Sequence, residues 1–521
     1  MPLNPGFIYF IGVVILLFAE EQKRKIISLF IPVLALINIY LVNSSSRITF
    51  SFLDFELQLL AYTYIGQAVA LVFTIFSFLA VIYSFKFFSR KLNILAYLFI
   101  GSSISILYVG DFFSFLLFWE LMTIFSFFII GTTGGERIKK ISYYYFMLHM
   151  VGGICLLWGV LLQYTGTGSM VLTTPEFGVF FFVLAVGIKL AFIGLHTWLV
   201  PVYSGVPFLL SVLLPAYTTK VGVYAFYRFL EGPVLEYAGM ILALVAVGLA
   251  LKQIKLRKIL SYHLISQTGF MLVGIGLETK MGVDSGFFHL VNNILYKGLL
   301  FMVAGVVIYT TGKEKVTELG NLHKKLPLTT LAAIIASLAI AGFPFFNGYV
   351  SKLLIKKAVG QNTLLTGGLF LASIGTALSF IKFTYYTFWG HNETEIKNQP
   401  AVFMKIAMIF TTILIVVLGI YPKFYEVLFN VEKTFEYFSL NYIFAGLLPI
   451  ILAVGVFILA SDLIEPTEKE ETEDRDVYFY LGHRFSDIAE TLSSLHTGYL
   501  VRYMMWMFSF LVFLGLYFLI L

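Results

Sequence analysis

The sequence predicts an all-α polytopic membrane protein, and three observations carry this prediction. Of the 521 residues, 59% are apolar or aromatic, only 12% are charged, and the mean hydropathy is +0.90. Soluble domains carry about twice this charged fraction, so 35 basic and 29 acidic side chains are too few to cover a water-soluble protein of this length. Charged or Gly/Pro-rich breaks also divide the chain into about 16 apolar segments, each near the ~20 residues that one membrane crossing needs.

The segments fall into consecutive groups along the chain. Residues 1–90 contain three, at 7–19, 25–43 and 62–85, and the period-two alternation of residues 47–55 predicts a small hairpin outside the membrane between the last two. Residues 91–251 contain six, at 91–110, 112–130, 143–164, 177–197, 207–230 and 237–251. Residues 252–390 contain four more, at 259–277, 286–310, 327–359 and 366–388, and residues 391–460 contain two, at 402–421 and 441–460.

Two of these segments share an unusual combination of a deep lysine and a proline. Pro201 follows the segment that contains Lys189, and a Gly-Phe-Pro break at 342–344 precedes Lys352 five spans later. Proline removes a helical hydrogen bond and bends or interrupts a helix. Broken helices in corresponding positions are typical of transporters built from inverted repeats. The sequence therefore predicts two inverted five-helix repeats that contain broken helices.

The C-terminal part departs from the pattern of plain spans. A charged connector is followed by apolar residues at spacings of 4, 3, 4, 3 and 4 between Leu481 and Tyr499, with polar residues between them. This periodicity predicts a lateral amphipathic helix that lies on the membrane surface, within residues 461–500. An amphipathic linker without a task is the alternative. Residues 501–521 are then a C-terminal transmembrane anchor.

The basic residues of the loops predict an orientation. With the N-terminus outside, one set of loops holds 22 Lys and Arg side chains and the opposite set holds 7. Because basic loops stay in the cytoplasm, both termini are predicted outside, with the lateral helix on the cytoplasmic side of the plasma membrane. The net charge of +6 then reflects orientation and not the binding of nucleic acid.

The sequence offers no residues for a cofactor or a metal. Cys155 is the single cysteine, so it has no partner for a disulfide, a zinc site or an iron–sulfur cluster. A phosphate loop, a dinucleotide fingerprint and a paired-histidine metal motif are also missing from the sequence. We therefore expect any redox or nucleotide chemistry to belong to partner subunits.

Five ionisable side chains lie deep in apolar segments, and they carry the functional prediction. They are Glu120, Lys189, Lys220, Lys297 and Lys352. A charge at mid-membrane costs ~2.5–3.5 kcal/mol, so five unpaired charges would cost on the order of 12–17 kcal/mol, which is comparable with the net stability of a whole domain. Burial disfavours the charged form of such groups, which lets them load and release protons near neutral pH. The set predicts a proton path.

Further polar residues could bridge the gaps between these groups. The candidates are His196, His263, His289 and Asn293, which lie in or at the ends of apolar segments. Imidazole changes its charge near physiological pH and is suited to proton transfer. For each histidine taken singly, a structural hydrogen bond remains the alternative explanation.

Several stretches resemble a known family. They are Gly187-Ile-Lys-Leu, Leu195-His-Thr-Trp-Leu-Val-Pro, Thr219-Lys-Val-Gly-Val-Tyr, Lys258-Ile-Leu-Ser-Tyr-His, Lys297-Gly-Leu-Leu-Phe and Ala341-Gly-Phe-Pro with Gly348-Tyr-Val-Ser-Lys. In combination they are similar to the antiporter-like membrane subunits of respiratory complex I, of Mrp-type sodium/proton antiporters and of membrane-bound hydrogenases. The similarity runs from about Leu53 to Tyr421. The number of spans and the lateral helix most resemble the distal complex I subunit.

The resemblance implies a role for each deep charge. It makes Glu120 the partner of Lys189 on a broken helix, Lys220 a relay, Lys297 a lysine of the eleventh span, and Lys352 the terminal lysine on a second broken helix. Two departures stand out: Asn293 occupies a position that is often histidine, and the lateral helix is short. The second departure favours an archaeal-type hydrogenase or sulfur-reducing complex over complex I itself.

The function expected from the sequence is ion translocation, chiefly of protons, by a subunit of a redox-driven complex. Whether that complex makes the chain part of an enzyme stays open. The expected partners are antiporter-like and small Mrp-like membrane subunits, and through them a peripheral redox arm. A sodium/proton antiporter subunit of Mrp type is the alternative, although one glutamate offers few sodium ligands. A scaffold that holds its neighbours through the lateral helix is a third hypothesis.

Overall fold

The computed structural model describes residues 2–52, 55–87, 89–132, 134–232, 234–429, 436–460 and 465–466. Nearly all secondary structure in this part is helical, in agreement with the predicted class. The predicted lateral helix and C-terminal anchor lie outside the described residues.

The N-terminal part contains three helices and a hairpin: α1 (Pro5–Phe18), α2 (Glu21–Leu41), β1 (Arg47–Phe52), β2 (Phe55–Ala61) and α3 (Tyr64–Ser84). The two strands pair antiparallel, from Arg47 opposite Ala61 to Phe52 opposite Phe55. The hairpin that the period-two alternation predicts is therefore present, and its second strand extends beyond the predicted stretch.

The next six helices include a short one that follows a break. They are α4 (Arg90–Ser105), α5 (Phe112–Gly131), α6 (Glu136–Thr167), α7 (Val179–Leu190), α8 (Leu199–Gly205) and α9 (Phe208–Phe229). A 3-10 turn over Ile106–Tyr108 extends α4. The Asp111 side chain caps α5 by accepting a 2.7 Å hydrogen bond from the Ser114 amide.

The remaining helices contain a second break, between α14 and α15. They are α10 (Leu235–Leu251), α11 (Leu256–Gly276), α12 (Lys280–Thr311), α13 (Leu322–Lys325), α14 (Pro327–Ala341), α15 (Asn347–Val359), α16 (Thr363–Phe388), α17 (Val402–Ile420), α18 (Lys423–Phe429) and α19 (Leu440–Leu459). A 3-10 turn over Val316–Glu318 lies between α12 and α13.

Eleven of the described helices are long and apolar enough to cross a membrane: α2, α3, α4 with its 3-10 turn, α5, α6, α9, α11, α12, α16, α17 and α19. Four shorter apolar helices, α1, α7, α10 and α14, accompany them. Most residues of α9 and α12, and nearly all of α11, are buried against other helices. These three helices form the centre of the bundle, whereas α2, α6, α17 and α19 expose apolar faces.

The first break begins at a residue that the sequence does not mark. Helix α7 ends at Leu190, and Ala191 follows with a φ of 58°. Alanine seldom adopts this left-handed conformation, which is strained for a residue with a Cβ. Pro201 lies within α8 and not at the break. The expectation that this proline disturbs the helix is therefore wrong in position, because the chain leaves the helix ten residues earlier.

The second break lies where the Gly-Phe-Pro stretch predicts it. Helix α14 ends at Ala341, and Gly342 follows with a φ of 87°, which glycine adopts without strain. The chain becomes helical again at Asn347, so Lys352 lies in the second turn of α15.

Helices α10 and α11 pack closely because two glycines face each other. A Cβ on Gly269 would lie 2.5 Å from the Gly239 carbonyl oxygen, and a Cβ on Gly239 would lie 2.8 Å from the Gly269 carbonyl oxygen. Small residues let membrane helices approach backbone to backbone. Gly248, also on α10, has open space around its Cβ position.

We expect Gly269→Ala to lower stability, because the new methyl group would overlap the backbone of α10. Overpacking of this kind costs typically ~1–3 kcal/mol. Gly248→Ala is the matched control, and it should be neutral or stabilising by up to about 1 kcal/mol through its helix propensity. Thermal denaturation of the detergent-solubilised protein measures both variants. Equal midpoints for the two variants would contradict the close contact.

Candidate functional site

Lys189 lies at the end of α7, immediately before the first break. Its side chain is 1% exposed. The Nζ atom donates a 3.0 Å hydrogen bond to Thr123 Oγ1 on α5 and lies 4.2 Å from the centre of the Trp119 ring. A helix C-terminus and an aromatic face both attract a cation. The ammonium group is therefore held by a hydroxyl, a ring and the end of its own helix.

Glu120 lies on α5, one turn before Thr123, and its carboxylate is close enough to Lys189 for their charges to interact. Neither carboxylate oxygen has a hydrogen-bond partner among the residues that the structure describes. The carboxylate occupies the space beside Gly153 on α6, where any Cβ would overlap Oε1. The structure thus places Glu120 near Lys189, with Thr123 as the direct acceptor of the lysine.

Lys189, Thr123 and Glu120 form a cluster beside the first break, which we call the first cluster. His149 on α6 also belongs to it, although it is not among the residues selected from the sequence. Its ring is 1% exposed and interacts electrostatically with Lys189. It also packs on the rings of Tyr145 and Trp198, with centroids 4.1 and 4.5 Å away. The signal that could have found it is simple, because His149 is the one histidine within the apolar segment 143–164.

Lys220 lies in the middle of α9, between the two broken helices in sequence, and is 1% exposed. Its Nζ donates a 3.3 Å hydrogen bond to Thr219 Oγ1. Two residues further on, Gly222 lets α7 approach, since a Cβ there would lie 3.3 Å from Lys189 Cγ. The charge of Lys220 also acts on His289 and Lys297. Helix α9 therefore contacts Lys189 and interacts electrostatically with His289 and Lys297 on α12.

His289 is the centre of a hydrogen-bond network on α12. Its Nδ1 lies 2.9 Å from Ser351 Oγ on α15, and its Nε2 lies 3.1 Å from Gln267 Oε1 on α11. The Tyr296 hydroxyl lies 3.3 Å from His289 Nε2 and 3.3 Å from Gln267 Oε1. Asn293 joins the network by donating a 3.2 Å hydrogen bond to this hydroxyl. The network connects three helices, one of which follows the second break.

Lys297 lies two turns after His289 on α12 and donates a 2.8 Å hydrogen bond to the Leu260 carbonyl on α11. Its Nζ is 5.5 Å from the centre of the Phe380 ring on α16. His263 packs on the same ring at 4.7 Å and interacts electrostatically with Lys297 and Lys352. Neither ring nitrogen of His263 has a hydrogen-bond partner in the described part of the chain.

Lys352 reaches back across the second break. Its Nζ donates a 2.7 Å hydrogen bond to the Ile340 carbonyl, in the last turn of α14, and lies 4.9 Å from the Phe270 ring of α11. A small pocket of about 30 Å³ adjoins it, and Gly342 and Gly446 contribute to the wall. The ammonium group therefore lies at the C-terminal end of a half-helix, as that of Lys189 does.

His196 has a different setting from the other candidates. It lies half-buried in the break between α7 and α8, two residues before Trp198. The indole nitrogen of Trp198 donates a 2.8 Å hydrogen bond to the Ile188 carbonyl, which holds the break against the end of α7.

One of the 22 basic side chains that the sequence assigns to the cytoplasmic loops is buried within a helix. Lys382 lies within α16, is 3% exposed and donates a 2.9 Å hydrogen bond to the Leu251 carbonyl. Leu251 is the last residue of α10. Since a helix C-terminus has free carbonyls, Lys382 caps α10, and the number of loop cations on the side predicted as cytoplasmic falls by one.

The chain is similar in sequence to antiporter subunits. It is 27% identical over 310 residues to an Na(+)/H(+) antiporter subunit of Alkalihalophilus pseudofirmus, and the match covers 54% of this chain and 63% of that protein. It is 30% identical over 340 residues to the antiporter subunit mnhD2 of Staphylococcus aureus, and this match covers 60% of this chain and 67% of that one. The chain thus spans less than two thirds of the length of the first of these relatives.

Solved structures share the fold. A chain of the membrane-bound sulfane sulfur reductase, an archaeal respiratory membrane complex, matches with a TM-score of 0.77 at 23% identity, over 99% of both chains. A chain of the Mrp complex from Dietzia sp. DQ12-45-1b matches with 0.82 at 19% identity, over 99% of this chain and 62% of that one. A chain of respiratory complex I from Thermus thermophilus matches with a TM-score of 0.72 at 20% identity, over 86% of this chain and 100% of that one.

A family model covers the clusters themselves. The model for the transmembrane part of NADH:quinone oxidoreductase and Mrp antiporter subunits matches residues 109–382, which is more than half of the chain. This range contains all five deep charges, both breaks and the His289 network. The chain is therefore an antiporter-like membrane subunit of the NADH:quinone oxidoreductase/Mrp antiporter family.

Proposed function

We propose that this chain moves protons across the membrane as one subunit of a multisubunit redox-driven complex. The observation that carries the proposal is the shared setting of Lys189 and Lys352. Each ammonium group is buried at the C-terminal end of a half-helix, and among the described residues each has one hydrogen-bond acceptor and one aromatic face. A group held by so few partners can lose its proton without leaving a large network unsatisfied.

The proposed path runs from Glu120 through Lys189, Lys220 and Lys297 to Lys352. Support comes from the contact of Gly222 with Lys189 and from the electrostatic interaction of Lys220 with Lys297. His263, His289 and Asn293 are proposed relays between the lysines of the second half. His196, in the first break, is proposed as a relay near the end of α7.

The finer architecture is part of the proposal. The eleven long apolar helices, α1, α10 and the two broken helices would give fifteen spans in the described part, and residues 501–521 would give the sixteenth. We propose that residues 91–251 and 252–390 contain the two inverted repeats. We also propose that both termini face outside, with a lateral helix within residues 461–500 on the cytoplasmic side.

The parent complex is proposed to be a hydrogenase or sulfur reductase of the plasma membrane, and complex I is the nearest variant. The fold shared with the sulfane sulfur reductase over 99% of both chains supports this choice. In this proposal the electron carriers belong to a peripheral redox arm, which contacts the chain through other membrane subunits. The chain itself contributes proton-carrying side chains and no redox cofactor.

A sodium/proton antiporter subunit is the second candidate, and the similarity to the Na(+)/H(+) antiporter subunit of Alkalihalophilus pseudofirmus supports it. Sodium prefers oxygen ligands. In the first cluster, the Glu120 carboxylate and the Thr123 hydroxyl could supply two, but the hydroxyl already accepts a hydrogen bond from Lys189. We therefore favour protons.

We expect Lys189→Ala and Glu120→Gln to reduce proton transport by the reconstituted complex by roughly 10²-fold, the smaller gain that a positioned acid or base usually gives. Each variant removes one of the two charges of the first cluster. A pH-sensitive dye inside proteoliposomes measures the rate under an imposed potassium diffusion potential. Lys23→Ala is the control, because Lys23 is 72% exposed beside Glu20 and should leave transport unchanged. Unchanged transport in both cluster variants would overturn the proposal.

The glycines of α6 provide a test that leaves every ionisable group in place. We expect Gly153→Ala to displace the Glu120 carboxylate and slow transport by about tenfold or more, since small misplacements of reacting groups are costly. Gly152→Ala is the matched control, because its Cβ would lie 3.5 Å from Ile188, at ordinary contact distance. The same dye assay compares the two, with assembly checked by size-exclusion chromatography. Similar rates would show that the position of Glu120 is unimportant.

The two candidate functions predict different responses to sodium. In proteoliposomes without an electron donor, we expect a sodium pulse to cause no pH change beyond that caused by choline. This follows if the path carries protons through side chains that bind no sodium. A sodium-dependent pH change that Glu120→Gln removes would favour the antiporter instead.

A further inference from the structure

His149 combines a buried ring with one nitrogen that lacks a partner. Its Nδ1 lies 3.0 Å from the Tyr145 carbonyl oxygen. A carbonyl only accepts hydrogen bonds, so Nδ1 carries the proton, and in neutral imidazole Nε2 is then a bare acceptor. Nε2 is buried and has no hydrogen-bond partner in the described part of the chain. Leaving a buried polar atom unsatisfied costs about 1–3 kcal/mol, which a ring used only for packing would avoid.

The surroundings of His149 join it to the first cluster. The titratable groups that face it are Lys189 on α7, through its charge, and Tyr145 on α6, through ring contact. Glu120 contacts Gly153, which lies one helical turn further along α6. Trp198 forms the remaining wall, with its ring nearly perpendicular to the imidazole at 82°. This tryptophan is also the residue that fastens the break to the end of α7.

These neighbours suit a proton carrier. When the Lys189 ammonium gives up a proton to Nε2, the lysine becomes neutral and the imidazole becomes a cation, so charge is conserved within the cluster. The imidazolium then lies against two aromatic rings, those of Tyr145 and Trp198, and aromatic rings stabilise cations that lie over their faces. The reverse transfer restores both groups. Because Nδ1 stays bound to the Tyr145 carbonyl, Nε2 can load and unload without rotation of the ring.

We infer that His149 Nε2 is a proton-carrying site of the first broken-helix cluster, and that it exchanges protons with Lys189 beside Trp198. This inference rests on the proposed function and adds a carrier on α6 to the path. Helix α6 would then take part in proton transfer in the first half of the proposed path, just as α12 would in the second half through His289 and Lys297.

The test compares His149→Phe with His149→Gln in the reconstituted complex. Phenylalanine keeps the ring between Tyr145 and Trp198 but has no nitrogen, whereas glutamine keeps polar atoms but cannot carry a proton at neutral pH. We expect both variants to lose proton transport by roughly 10²-fold. A packing role predicts instead that His149→Phe retains the wild-type rate, and that result would overturn the inference.

His323→Phe is the matched control. His323 also lies 3.0 Å from a backbone carbonyl oxygen, that of Phe388, and stacks on a tryptophan, but it is half-buried on the short helix α13. We expect normal transport from this variant. If His323→Phe lost as much transport as His149→Phe, the loss would report general damage and the inference would be rejected.

A spectroscopic readout separates this inference from the proposed function. In ¹⁵N-histidine NMR spectra of the purified complex, we expect one Nε2 signal to be lost in His149→Gln and to shift in Lys189→Met. An unshifted signal would refute proton exchange with Lys189, even if both variants transported slowly. If Lys189→Ala transports normally, the proposed function fails; if Lys189→Ala is inactive and His149→Phe is active, the inference alone fails.

Discussion

A buried ammonium group needs an acceptor, and the acceptors inside a helical bundle are scarce because helices use their own carbonyls. A break releases carbonyls at the end of its first half. Lys352 binds one of these, on Ile340, and Lys382 binds another at the end of α10. Lys189 lies on such an end and binds the Thr123 hydroxyl. Helix-end carbonyls therefore hold Lys352 and Lys382, whereas Lys297 binds the Leu260 carbonyl within α11 and Lys220 binds a threonine hydroxyl.

Glycine makes room for the charges that these ends hold. The Glu120 carboxylate fills the space beside Gly153, the Lys189 side chain packs beside Gly222, and a Cβ on Gly342 would lie 3.1 Å from Lys352 Cδ. Since protein interiors are closely packed, each of these side chains would have to adopt another conformation if the glycine beside it carried a methyl group. The ionisable groups and the small residues that face them therefore form one arrangement.

The sequence is informative where chemistry is unusual for its surroundings. Ionisable groups in apolar segments predicted the charges that the structure places in the bundle, and Gly-Phe-Pro predicted the second break. The first break was harder to locate, because Ala191 and its neighbours read as a continuous apolar span and the strain at Ala191 depends on tertiary contacts. The sequence could not predict the hydrogen-bond acceptors of Lys297 and Lys352, because Leu260 and Ile340 accept through their backbone carbonyls. His149 lies in an apolar segment just as the selected histidines do, and its contacts with Tyr145 and Trp198 arise only in the fold.

Lys220 has the longest hydrogen bond of the three lysines Lys220, Lys297 and Lys352, and it interacts electrostatically with its neighbours on α12. Lys220 has one long hydrogen bond, 3.3 Å to its sequence neighbour Thr219, whereas Lys297 and Lys352 have bonds of 2.8 and 2.7 Å to carbonyls. Its charge repels positive charge on His289 and Lys297. Like charges in a medium of low dielectric constant disfavour each other, so positive charge on Lys220 disfavours positive charge on these two neighbours. In the proposed path, arrival of a proton at Lys220 would therefore favour release from Lys297, and the path would have a direction if Lys189 were protonated first.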